Sequence, residues 1–199
     1  MAWMSPECDS PWVHMKKRCD WAEGHPLLSE YHDKEWGRIV RDDNKLFEFL
    51  VLESAQAGLS WLTILKKREK YRNAFADFDP VRVSKFGSRE VRKLMRDAGI
   101  VRNKLKIEAA INNAKRFLEI QKEFGSFFNY LKTFTKKPII NNIKTLSNIP
   151  AKTELSDKIS IDLKKRGFKF MGSTIVYAHL QAVGIVDDHL NDCFRKSKS

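Results

Sequence analysis

Glu53 closes the run Leu46-Phe47-x-x-Leu50-x-x-Glu53. That spacing puts a carboxylate on the same helical face as apolar residues. Such a group needs a partner or a cationic ligand, because an unpaired charge among apolar groups is costly. Trp21, Tyr31, Trp36 and Trp61 belong to the same region. Aromatic rings beside a carboxylate suit a flat, positively charged heterocycle. Core packing is the competing reading of these aromatics, and Trp36 is assigned to it.

Cysteine and histidine cluster at the two ends of the chain. His189 and Cys193 stand at i, i+4, which on a helix gives one face and two ligands for one ion. Cys19 and His32 have 12 residues between them, too wide a gap to be diagnostic. Together the four would make a zinc site tying the ends of the domain together, and incidental placement is the alternative. Cys8, His14, His25 and His179 have no comparable partner.

The segment Leu163-Lys-Lys-Arg-Gly-Phe-Lys-Phe-Met-Gly-Ser-Thr174 reads as helix, glycine-bounded hairpin, helix. Gly167 and Gly172 are expected to supply positive φ. The amides that open the second helix, with Ser173 near its cap, can attract a phosphate flanked by Lys164, Lys165, Arg166 and Lys169. This is the form of a helix-hairpin-helix DNA-binding element, although two helices joined by glycine are common in proteins that bind nothing.

These groups need a scaffold, and the remaining sequence reads as helical. Asp43 is expected to cap a helix through Leu46, Leu50 and Glu53, interrupted at Gly58. A second helix runs from Trp61 to Phe75. Ser88 is expected to cap a third, ending at Gly99, and Lys104 to Phe124 forms a fourth. Residues 135–150 are looser. Ser156 is expected to open a helix that ends at Gly167, and the last helix runs from Gly172 to Gly184. No segment alternates with period two, so the expected class is all-α. Residues 1–15 carry Pro6 and Pro11 but no Lys or Arg, and read as a flexible extension with Met15 as an alternative start. Residues 16–199 are expected to form a single domain, with the hairpin element at about 156–184.

The chain has 199 residues, 42% of them hydrophobic and 11% aromatic, which excludes general disorder and allows one real core. No apolar stretch approaches the roughly 18–20 residues of a membrane helix, and no secretory signal pattern opens the chain. Three cysteines cannot form a disulfide framework, so a reducing cytoplasm is expected. The net charge of +12 favours a polyanionic partner such as DNA, with anionic membranes or acidic proteins as alternatives.

Five separated segments carry a resemblance. They are Cys19-Asp-Trp21, Tyr31-His32-Asp-x-Glu-Trp36-Gly37, Leu52-Glu53-x-x-Gln56-Ala-Gly-Leu-Ser-Trp61, the Leu163–Phe170 segment, and Asp188-His189-x-x-x-Cys193. In order and spacing they resemble bacterial 3-methyladenine DNA glycosylase I, from about Arg18 to Cys193. The resemblance implies a helix-hairpin-helix glycosylase fold and structural zinc at Cys19, His32, His189 and Cys193. It also implies a base pocket of Trp21, Tyr31, Glu53 and Trp61, with Glu53 in the catalytic role, and a double-stranded alkylated DNA substrate bound by a monomer. An enzyme of this kind must flip the base out of the duplex, and Leu59 beside Gly58 is a suitable apolar wedge. Lyase-type relatives use a lysine near the hairpin. Here no lysine lies between Lys169 and Lys196, which favours simple hydrolysis. Members of the resembled family often have Asn where this chain has Asp187, so Asp187 is expected to act as a cap before His189 rather than in the chemistry. The rival from another class is a non-catalytic basic helical DNA-binding protein.

Overall fold

The computed structural model describes residues 16–197. The expected N-terminal extension, residues 1–15, lies outside the described residues. Among the described residues the chain forms α1 (Pro26–Lys34), α2 (Asp43–Gln56), α3 (Trp61–Ala74), α4 (Pro80–Val83), α5 (Ser88–Arg96), α6 (Lys104–Phe124), α7 (Phe127–Lys132), α8 (Glu154–Lys165) and α9 (Ser173–Ala182). A two-residue strand β1 (Ile139–Ile140) pairs in parallel with β2 (Val186–Asp187), with Ile139 opposite Val186.

The centre of the fold is α2. Every residue from Leu46 to Ala55 is buried, so this helix is enclosed on all sides. It packs on α3, α6 and α9. Phe47 meets Phe117 of α6 edge-on at 5.3 Å, and Phe117 stacks on Phe127 of α7 at 4.5 Å. Enclosure forces any acid on α2 to find a counter-charge, and Glu48 does. Its carboxylate takes Arg68 Nε at 2.7 Å, Lys45 Nζ at 3.0 Å and Arg72 at 3.0 Å. Glu53, one and a half turns further on, has no such partner.

Several helix starts differ from those expected. Asp42 caps α2 by accepting from Lys45 N, while Asp43 accepts from Gln121 Nε2 at 2.6 Å and Phe127 N at 3.1 Å. Gly87, not Ser88, is the N-cap of α5, because Glu90 reaches back to the Gly87 amide at 2.8 Å. Thr153 caps α8, and Ser156 completes the reciprocal pair from inside the helix. The sequence reading missed α1, although Pro26 at its first position is a start signal. It also missed the short α4 and α7 and the strand pair. Residues 189–193 are not the helix expected to carry His189 and Cys193: Leu190 bridges to Ile143, and Asn191 and Asp192 form a turn.

Candidate functional site

Glu53 sits in the last turn of α2 with 5% of its surface exposed and makes no hydrogen bond among the described residues. Burial pushes its carboxyl up to about 8. The Tyr31 hydroxyl of α1 and the Trp61 indole N–H of α3 are also buried without a partner. Burial first, and the Glu53 charge second, raise the Tyr31 phenol well above its ordinary range. The Tyr31 and Trp61 rings lie 5.2 Å apart at 55°, and Trp21 lies 6.3 Å from Tyr31. Trp36 is 7% exposed and packs edge-on against Trp21 and His189, the structural place assigned to it. Glu53 also lines a cleft of about 240 Å³ with Gln56, Leu59, Thr174, Ile175 and Ala178. The result is a buried acid, a phenol and an indole N–H, all unsatisfied, next to an opening. Buried polar groups are nearly always paired, so three together fit a polar ligand.

Two surface elements flank that opening. Gly58 has φ +79, with nothing within 4 Å of where a Cβ would stand, and turns the chain so that Leu59 is 41% exposed. Ser60 then caps α3 through Thr63 N. Lys106 Nζ donates to Ala55 O at 2.8 Å and Ala57 O at 2.6 Å, holding the last carbonyls of α2 and so the base of this turn. The second element is the α8–α9 connection. Gly167 has positive φ as expected, but Gly172 has φ −70 and serves as N-cap of α9; the other left-handed residue is Phe170, at φ 55. Asn113 of α6 clamps the connection through both Lys169 N and Lys169 O at 2.8 Å. Ser173 Oγ lies 2.8 Å from Ser156 Oγ, which joins the starts of α9 and α8. Lys164, Lys165 and Lys169 are exposed. Arg166 is placed differently from the three lysines. Its guanidinium is held by Glu123 at 2.6 Å and Asp162 at 2.7 Å and lies over Phe124 and Tyr130, so it locks the hairpin to α6. The run Lys-Lys-Arg at 164–166 does not reveal that difference. Asn113, a fully buried amide on a helix that otherwise buries Ile, Ala and Phe, was the available signal for the clamp.

A third group gathers beside the aromatic recess. The side-chain donor atoms of Cys19, His32 and Cys193 lie within 4.8 Å of one another, all buried. Cys193 Sγ is 3.3 Å from His32 Nε2. His189 adjoins them, its ring 5.1 Å from that of His32 and its Nε2 buried without a partner. The Nδ1 atoms of both histidines face carboxylates at 2.9 Å, Asp33 for His32 and Asp187 for His189. Arg18 in turn fixes Asp33 at 2.9 Å. This leaves both Nε2 atoms for a metal, the usual arrangement of carboxylates behind metal-binding histidines. Gly37 is required here, since a Cβ on it would stand 2.4 Å from His189 Cε1. Cys19, His32 and Cys193 form a donor set that fits a metal ion, while His189 lies alongside but outside that cluster. Without a cation, burial pushes the Cys19 thiol up to about 12.

Asp187 caps a turn rather than a helix, because no helix follows it. Its carboxylate accepts from His189 N at 3.0 Å and Ser197 N at 2.9 Å, besides facing the His189 ring. It is not among the residues lining the Glu53 cleft.

The fold places the chain among helical DNA glycosylases. A crystal structure of 3-methyladenine DNA glycosylase I superposes with a TM-score of 0.88 at 44% identity, covering 91% of this chain and all (100%) of that one. The Staphylococcus aureus 3-methyladenine DNA glycosylase I gives 0.87 at 39% identity, covering 92% and 97% of the two chains. The Haemophilus influenzae DNA-3-methyladenine glycosylase is 46% identical over 180 residues, 90% of this chain and 97% of its own. The chain belongs to the methyladenine glycosylase family, whose model matches residues 21–196.

Proposed function

We propose that the protein is a DNA repair glycosylase that flips 3-methyladenine out of double-stranded alkylated DNA and hydrolyses its glycosidic bond, with no lyase step. The observation that carries this reading is the buried, partnerless Glu53 beside the unsatisfied Tyr31 hydroxyl and Trp61 N–H. Related solved structures include one of a 3-methyladenine DNA glycosylase I in complex with 3-methyladenine.

An adenine methylated at N3 in DNA is cationic and already a good leaving group. The protein therefore has to select the cation and hold it, more than to protonate it. Glu53, protonated in the empty recess, gives its proton to solvent as the cationic base enters. As carboxylate it then accepts hydrogen bonds from the base edge, with Trp21, Tyr31 and Trp61 packing against the ring. Leu59 fills the gap left in the stack. As the bond from sugar C1′ to the base nitrogen breaks, its electron pair goes to the base, which leaves neutral. Water adds to C1′ and its extra proton goes to solvent. The exposed Lys164, Lys165 and Lys169 and the start of α9 at Gly172 and Ser173 take the backbone phosphates, as in a helix-hairpin-helix element. Cys19, His32, His189 and Cys193 would hold a structural zinc, which supplies no step of the reaction but ties residues 19–32 to residues 189–193. The protein acts as a monomer in the cytoplasm. None of the described helices is long and apolar enough to cross a membrane.

Incubation with methylated duplex DNA, followed by chromatography of the released bases, tests this. Free 3-methyladenine with the strand left uncut supports the reading. Intact DNA binding with no released base would instead favour the non-catalytic DNA-binding rival.

A further inference from the structure

A wide cleft lies away from Glu53, between the end of α3 and α5. It measures about 830 Å³, and Asn73, Ala74 and Phe86 form part of its wall. Its rim carries Arg89, Arg92, Lys93 and Arg96, all exposed. On α5 these stand at i, i+3, i+4 and i+7, which is one face of a helix, while Leu94 is buried and Val91 packs against the core on the other. Like charges so spaced destabilise a helix. None of the four makes an ion pair or a side-chain hydrogen bond among the described residues, although acids lie close by. Glu90 and Asp97 line the same cleft but turn to the Gly87 amide at 2.8 Å and the Gly99 amide at 2.7 Å, and they offset only part of the row's charge. Four cations on one helix face against two acids, beside an open cleft, suit a polyanion.

The position of the row indicates which polyanion. Residues 97–103 lead from α5 into α6, where Lys106 holds the turn that presents Leu59. This connection is lashed to α3 by Lys67 Nζ on Ala98 O at 2.8 Å and by Val101 N on the Tyr71 hydroxyl at 3.1 Å. Lys66, Lys70 and Arg102 are exposed along the same stretch, with Glu69 between them, and Lys104 pairs with Glu108 at 3.7 Å. Exposed cations outnumber acids on the segments between the α5 cleft and the Leu59 turn. Along α3 the cleft wall at Ala74 stands about 20 Å from Trp61, at about 1.5 Å per residue. That is the rise of roughly six base pairs of duplex at about 3.4 Å each.

We infer that the α5 face is a second phosphate-binding surface, separate from the α8–α9 hairpin, that grips the backbone of the same duplex about six base pairs from the flipped base. The inference rests on the proposed action on duplex DNA. Its test measures binding of lesion duplexes with flanks of increasing length, over a range of salt, for the wild-type protein and for the triple variant Arg89→Gln/Arg92→Gln/Arg96→Gln. Wild-type affinity should step up once one flank exceeds about six base pairs, and the Gln variant should lack that step. With about 0.9 counterions released per contact, three lost contacts should lower the salt slope by close to three. Between about 50 and 200 mM salt the variant should then lose roughly forty-fold less of its affinity than wild type. Single-turnover excision at saturating protein should be unchanged. The charge-retaining triple variant with Lys at the same positions should restore slope and step, which separates charge from folding.

An unchanged slope and flank dependence in the Gln variant would overturn the inference while leaving the glycosylase reading intact, and would point to an acidic protein as the occupant of this face. Equal loss in the Gln and Lys variants would also overturn it. Wild-type protein that neither binds nor excises would instead sink the underlying reading.

Discussion

Replacing Glu53 by glutamine should have opposite effects on stability and on function. In the folded protein burial keeps this carboxyl protonated up to about pH 8, against 4.5 for the unperturbed group. Between those values the unfolded chain binds fewer protons than the folded one, so stability falls as pH rises through the window. The full contribution of the acid form is present below about 4.5 and is lost above about 8. Glutamine keeps the shape and never ionises. Glu53→Gln should therefore melt with wild type at the acid end and be the more stable protein at about pH 9, by on the order of a few kcal/mol. The same change removes the carboxylate that lines the cleft. A hydrogen bond to a charged group is worth about 1.5–3 kcal/mol, so kcat/KM on 3-methyladenine in duplex DNA should fall by about ten- to a hundred-fold. Thermal melts across pH and excision kinetics on one preparation are the assay. Wild-type excision, or a variant no more stable than wild type at high pH, would refute the claim that this acid is held without a partner in order to meet a cationic base.

Protein purified without chelator should contain about one zinc per chain, and His189→Ala should lower the melting temperature and the metal content while duplex excision per folded molecule persists; metal analysis that finds none would remove the zinc assignment. Asp187→Asn should leave single-turnover excision within a few-fold of wild type, because the side chain holds the His189 ring and two amides rather than lining the cleft; a loss of about a hundred-fold or more with an unchanged melt would give it a role in the chemistry. His179 of α9 is fully enclosed, and burial lowers its ring to about 4 from 6.5. The unfolded chain takes up that proton first, so stability present above about 6.5 should be lost as pH falls toward 4, and His179→Leu should flatten the acid limb of the melting curve, by about 2 kcal/mol near pH 5.

Local chemistry accounts for much of what the sequence disclosed. Apolar residues at i, i+3 and i+4 located α2, α3, α5, α6, α8 and α9, because that period survives any packing arrangement. The acid on an apolar face marked Glu53, since Glu48 and Glu53 are the two acids in the buried stretch Leu46 to Ala55 of α2. What separates these two acids is not local. Glu48 is neutralised by Arg68 and Arg72 from α3, whereas Glu53 has no counter-charge and faces an opening beside α9. Arg166 and its lysine neighbours are likewise alike in the chain, yet α6 and Asp162 claim the arginine and leave the lysines in solvent. The metal group needed Cys19 and Cys193 to be brought together across nearly the whole chain, on turns that carry no periodic signal. Helix starts went astray for a similar reason: a cap depends on which side chain reaches an amide, and at Gly87 and Thr153 the deciding atom sat three residues downstream. A residue's type sets which partners it needs; whether it has them depends on contacts between segments far apart in the chain, and at Glu53 the missing partner is the feature that points to function.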